Sequence, residues 1–174
     1  GGLQASALPS GSTSAPCRVT LHRVSDRSDL EADWRALEVT TDAPIFLRWL
    51  WVGSWLDCYE PRVTVARVEL DGATIALGLF TEQKVRRHRV LPVQRLLLHQ
   101  TGRRAEDQLW IEYNGLLARP EHAAMALGEV LAAFIRAGRA DEIFLSMLPG
   151  ALADSVQEGQ RFVRETLHAH GYSR

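Results

Sequence analysis

Apolar and polar positions alternate, then repeat at helical spacing, then alternate again along this chain. From Cys17, Val19 and Leu21 interleave with Thr20 and His22, which predicts a first strand over 17–24. Ser28-Asp29-Leu30-Glu31 has the form of a capping box, and Leu30, Trp34 and Leu37 follow on one helical face, so a first helix is expected to open at Ser28. Asp42-Ala43-Pro44 predicts the start of a second helix through Phe46 to Leu56. That segment is apolar on nearly all sides, which means it is buried or lines something.

Pro61 closes the second helix. Arg62 to Leu70 and Ala73 to Phe80 read as two strands joined by a tight Asp71-Gly72 turn. A basic stretch, Lys84 to Arg89, is expected to lie between strands, and two further strands are predicted over Gln94 to His99 and Leu109 to Leu117. Leu127, Val130, Leu131, Phe134 and Ile135 form one continuous stripe on a helix over 121–137, with Gly138 as its stop. A strand over 141–148 and a weaker amphipathic helix over 151–170 complete the pattern. Gly1 to Pro16 shows no apolar period and reads as a flexible tail, leaving 17–174 as one domain. The element order implies an α+β or mixed α/β fold, a largely antiparallel sheet with helices packed on its faces.

Composition adds mainly exclusions. At 174 residues and 46% hydrophobic, the chain can build its own core. A net charge of -1 removes any global reason to bind nucleic acid or anionic lipid, so an anion site would have to be local. Of the 20 basic residues 19 are arginines spread along the chain, and Lys84 is the single lysine, hence the single Schiff-base candidate. Cys17 and Cys58 lack metal or redox spacing and are expected to be reduced, and the six histidines offer no ligand set, so no metal is expected. Neither a membrane span nor a secretory leader is visible, which implies a cytoplasmic protein. No nucleophile-elbow sequence points to a hydrolase.

Three constellations carry candidate chemistry. Glu112, Tyr113 and Asn114 gather an acid, a phenol and an amide where an apolar strand ends; next to Trp110 and Ile111, Glu112 would have a raised pKa suited to acid/base work. The plainer account is a polar strand end with an Asn-Gly turn. Trp51 and Trp55, at i and i+4 with Arg48 nearby, could wall a sugar or acyl chain, or simply be core, while Trp49 points elsewhere. Arg86, Arg87 and Arg89, with Lys84 and His88, form the one dense basic patch, either a solvated hairpin tip or a phosphate clamp. Without interleaved aromatics it does not suit single-stranded nucleic acid.

The segments Leu30 to Leu37, Phe46 to Leu56 and Ile111 to Leu117 resemble those of GNAT-type acyltransferases of the CelD-like, cellulose-biosynthesis-associated family, and the element order is similar too. The resemblance covers about two thirds of the ordered chain and corresponds to the N-terminal half of such a protein, with a second GNAT-like domain as its partner. It implies acyl transfer from acyl-CoA, acetyl-CoA being the simplest, to an amine or hydroxyl of a polysaccharide or envelope precursor. Under it Glu112 and Tyr113 are the catalytic residues, Asn114, Arg48, Trp51 and Trp55 bind the acceptor, and Arg86, Arg87 and Arg89 bind the cofactor. One departure stands out: the glycine-rich turn that cradles pyrophosphate before a helix is missing, since Gln100-Thr101-Gly102-Arg103 lacks its spacing and Arg119-Pro120-Glu121 lacks its glycine. That absence sustains the alternative of a catalytically silent half that binds the acceptor or packs against a catalytic partner domain.

Overall fold

A computed structural model describes residues 17–88, 90–107, 114–146, 148–150 and 154. Strand β1 (Arg18–Arg23) leads into helix α1 (Arg27–Glu38), a single 3-10 turn (Ile45–Leu47) and helix α2 (Trp49–Tyr59). Strands β2 (Val63–Leu70), β3 (Ala73–Arg87), β4 (Leu91–Leu98) and β5 (Leu117–Ala118) follow, then helix α3 (Pro120–Arg136) and strand β6 (Glu142–Phe144). The sheet order is β1-β2-β3-β4-β6, and β5 pairs with β3. Every pairing is antiparallel except β4 with β6.

Several elements begin where the local chemistry places them rather than where the pattern alone suggested. Helix α1 opens two residues early: Asp26, not Ser28, is the cap, its carboxylate accepting from the Ser28 N–H at 2.6 Å. Glu31 instead pairs with Arg35 one turn on, at 2.7 Å. The second helix is split, because Arg48 is extended (φ -79°, ψ 151°) between the 3-10 turn and α2. The orphan N–H of Trp49 is then taken by a neighbour in space, the Glu38 carboxylate at the end of α1, at 2.8 Å. At the β2–β3 hairpin both Asp71 (φ 52°) and Gly72 (φ 78°) are left-handed, the two-residue turn whose twist suits antiparallel strands.

Lys84 to Arg87 is not a loop but the outer part of β3, a strand of fifteen residues, with turns at His88 and Val90 on the described side of the hairpin tip. Of the strand expected over Leu109 to Leu117, positions 108–113 lie outside the described residues, and the regular part is Leu117–Ala118. The helix expected over 151–170 also lies outside them. Helix α3 ends at Gly138 (φ 63°), with the Arg139 N–H donating back to the Phe134 carbonyl at 3.0 Å.

Both faces of the sheet are covered. Alternation sends Val63, Val65, Leu77, Leu79 and Leu117 toward α1 and α2, where they meet Leu30, Trp34, Trp49 and Trp55. The intervening Ala66, Val68, Ala76, Phe80, Leu96 and Leu98 meet Leu127, Val130 and Phe134 of α3. The expected α3 stripe holds except at its end, where Ile135 is 58% exposed.

Candidate functional site

Besides the register shift at Val68/Glu69 in the β2–β3 pairing, the described part of the sheet is interrupted along one edge of β3. The second half of β3 pairs with β4 up to Phe80↔Leu98, whereas its first half pairs with β5 at Leu77↔Leu117, so the chain leaves the sheet after Leu98 and returns to the same edge. His99 makes the exit. Its backbone is left-handed (φ 50°), its N–H donates to the Leu79 carbonyl at 2.9 Å, and its ring Nε2 accepts from the Leu79 N–H at 3.1 Å. The imidazole therefore replaces the carbonyl that a continuing strand would have supplied. With Nε2 accepting, the ring proton sits on Nδ1 and is donated to the Asn114 side-chain oxygen at 3.1 Å.

Asn114 marks the return. Its amide donates to the Leu98 carbonyl at 2.9 Å, and its oxygen also accepts from the Gly115 N–H at 2.9 Å. Burial pushes the His99 pKa down to about 4, against the weaker opposing effect of the Asn114 hydrogen bond, so the ring is neutral at ordinary pH. Trp34 closes the pair from the α1 side: its ring meets His99 edge-on at 5.9 Å between centroids, and its indole N–H donates to the Leu47 carbonyl at 2.8 Å. Just past His99, the Asp107 carboxylate gathers the N–H groups of Thr101 and Gly102, both at 2.7 Å, and the Thr101 hydroxyl at 2.9 Å. The Gln100 side-chain oxygen is buried with no partner among the described residues.

Glu112, Tyr113 and Arg89 lie outside the described residues. Asn114 is 1% exposed, and its polar atoms are engaged within the protein. Trp55 and Trp49 are both core, at 8% and 5% exposure, so the i, i+4 tryptophan pair does not form one open wall. Trp51 instead meets Phe46 edge-on at 4.9 Å, an aromatic pair the spacing did not suggest because it forms across the break at Arg48. Arg48 is exposed, and its Nε donates to the Ala43 carbonyl at 3.0 Å.

The basic patch sits at the far end of β3. From Ala76, level with β5, to Arg86 is ten residues of strand, about 33 Å at ~3.3 Å per residue. The hairpin arginines and the first turn of α3 are thus not brought into one phosphate site. Arg87 is already bound to the Glu142 carboxylate, which also accepts from Arg95 at 3.0 Å. Those hydrogen bonds, Arg87 first, hold the Glu142 carboxyl below the usual range.

Sequence reasoning missed His99, whose role depends on meeting Leu79, Trp34 and Asn114 in space; a histidine ending an apolar run before Gly102 was the only sign. It also missed a second polar knot. Glu82 accepts from Thr64 at 2.9 Å and from Arg139, which reaches Glu82 with its Nε at 3.1 Å and Thr64 at 2.8 Å. Burial works to raise the Glu82 carboxyl, but these bonds and the Arg139 and Arg23 charges outweigh it and leave the pKa lowered. Among the described residues no group of three or more His, Cys, Asp or Glu could hold a metal ion, and no helix is long and apolar enough to cross a membrane.

No protein-family model and no curated protein sequence matches the chain. Among solved structures it aligns with aminoglycoside N-acetyltransferase AAC(6')-Iy in complex with CoA, at 12% identity over 97% of this chain and 93% of that one, with a TM-score of 0.39.

Proposed function

We propose that this chain is a GNAT-like acyltransferase domain that takes an acyl group from acyl-CoA to an amine or hydroxyl. The observation that carries the reading is the discontinuity beside the only parallel pairing in the described sheet. Strands β4 and β6 run parallel, and their carboxyl ends, Leu98 and Phe144, finish at the same side, where His99 and Asn114 hold the chain out of the sheet. In open sheets ligands settle outside the carboxyl ends of parallel strands where the strand connections change direction. The chain then passes through β5 into α3, whose first turn offers backbone amides and the positive end of a helix dipole to a phosphate.

In this proposal the phosphate contacts fall to the first turn of α3 and to Arg119 at its cap, with Arg86 and Arg87 too far along β3 to share them. Glu112 acts as general base and Tyr113 orients the acceptor, as the sequence resemblance suggests. Asn114 anchors the chain immediately after them to the end of β4. The buried Gln100 oxygen, which has no partner among the described residues, is a further acceptor that an amine or hydroxyl reaching it would satisfy. Phe46 and Trp51, joined to His99 through Leu47 and Trp34, take over the wall that Trp51 and Trp55 were expected to form. The CelD-like resemblance further suggests a polysaccharide or envelope precursor as acceptor and a second GNAT-like domain as partner.

A second reading, a catalytically silent half that binds the acceptor or packs on a catalytic domain, is favoured by the start of α3. Pro120 removes one amide from the first turn, the His122 N–H is turned back to the Arg119 carbonyl at 2.9 Å, and no side chain caps the helix. Isothermal titration of the chain with acetyl-CoA separates the two. Saturable binding at micromolar ligand, weakened by Arg119→Ala and retained in Glu112→Gln, is the expected result. No heat at millimolar ligand overturns acyl-CoA binding and leaves the silent half.

A further inference from the structure

The outer part of the β3–β4 hairpin reaches beyond the rest of the sheet. Pairing between β2 and β3 stops at Val63↔Thr81, whereas β3 continues to Arg87. From Glu82 to Arg87, one edge of β3 is taken by β4 and the other is met by no strand among the described residues. Every second residue on that edge therefore turns its N–H and C=O away from the sheet. These groups form a ready pairing template.

The side chains along this edge are sorted by face. Lys84 and Arg86 alternate onto the face of Phe80 and Glu82, are exposed, and have no carboxylate within 4.0 Å among the described residues. Glu82 itself is bound by Arg139 and Thr64. On the other face Val85 is half-buried, and Arg87 is held by Glu142. One face of the free edge thus presents two unneutralised cations two residues apart, and the other presents an aliphatic contact with its cation already satisfied.

We propose that this edge docks an extended acidic segment of another protein, which adds a strand antiparallel or parallel to β3 and sets alternate Asp or Glu side chains opposite Lys84 and Arg86. Residues directly opposite in neighbouring strands share a face, so an acid-x-acid pattern matches the two cations while the intervening apolar residue meets Val85. A second copy of this chain is the wrong occupant. Antiparallel self-pairing centred on Val85 would set Lys84 against Arg86 of the other copy, and like charges directly opposite repel. The lysine and arginine that guard the edge against its own kind are what select an acidic partner.

The test uses the full chain and fluorescence anisotropy with a labelled octapeptide alternating Glu and Val. Saturable binding that weakens with salt is expected, and a peptide of the same composition with its Glu residues grouped at one end should bind about tenfold more weakly. The exposed charge reversal K84E/R86E should lose the alternating Glu peptide by at least about tenfold and gain an alternating Lys–Val peptide, with an unchanged far-UV circular dichroism spectrum. Equal binding of the alternating and grouped peptides would reduce the patch to unspecific attraction and overturn strand docking. So would retention of the Glu peptide by K84E/R86E, or dimerisation of the wild-type chain through this hairpin in sedimentation velocity.

Discussion

On the α1–α2 side of the sheet, Trp34, Trp49 and His99 each bring a polar atom or a charged neighbour into the middle of the core; on the α3 side Phe80, Leu96, Leu98, Leu127 and Val130 meet one another, and the polar contacts lie at one end, where Arg139 sits 5.3 Å over the Phe134 ring and binds Glu82 and Thr64. The first side is fixed by directed bonds. Trp34 must find the Leu47 carbonyl, His99 must find Leu79 and Asn114, and Arg27 lies 5.3 Å over the Trp49 ring while donating to the Gly53 carbonyl at 2.7 Å. The second is fixed by shape: the Phe80 and Phe134 rings pack at 5.0 Å, and Gly78 leaves room for Leu116, whose Cδ2 would lie 2.4 Å from a Cβ at that position. A directed core specifies one arrangement of the chain around the proposed site, whereas a shape-fitted core tolerates exchange of one aliphatic residue for another.

The largest expected break of this contrast is Trp34→Ala. It opens a void under α1 and strands the Leu47 carbonyl, at a cost of about 3–5 kcal/mol, read as a fall in the urea midpoint at unchanged slope. A loss no greater than that of a volume-conserving change such as Leu127→Met would show that both sides are held by shape alone.

Next comes pH. The His99 ring has its folded pKa at about 4, below the 6.5 of the exposed side chain, so above pH 6.5 it is neutral in both states and costs nothing. Between 6.5 and 4 the unfolded chain takes up a proton that the folded chain refuses, and stability falls by on the order of 3 kcal/mol before levelling off. Urea unfolding at pH 7 and pH 4.5 measures the drop, which His99→Gln should flatten. A variant with the same slope as the wild type would assign the loss to other groups.

The smallest effect falls on the shape-fitted side. Gly78→Ala should cost about 1–3 kcal/mol by crowding Leu116, and Leu116→Ala made in the Gly78→Ala background should cost less than it does alone. Strict additivity in that thermal double-mutant cycle would deny the contact.

Much of the architecture was legible because it depends on residues close in sequence. The Asp71-Gly72 hairpin, the α3 stripe and its Gly138 stop are local devices, and each is found where periodicity and turn chemistry predicted it. The split before α2 was not legible, because Trp49 is capped by Glu38 from another helix. Reading Lys84 to Arg87 as a loop failed for a related reason: charge suggested solvent, and the residues are indeed exposed, but solvent also bathes an extended edge strand. The polar group at 112–114 was visible as chemistry, yet the partners of Asn114 are His99 and Leu98, more than a dozen residues away, and no spacing rule pairs them.

The His99–Asn114 latch has one more consequence. Because it ties together the two points where the chain leaves and rejoins β3, the strand register on either side is set without reference to what lies between. For a flexible loop each doubling of length adds only about 0.6 kcal/mol of closure entropy. Residues can therefore be added between Asp107 and Glu112 while the scaffold stays in step and Gln100, Glu112 and Tyr113 keep their proposed roles, a built-in site for diversification.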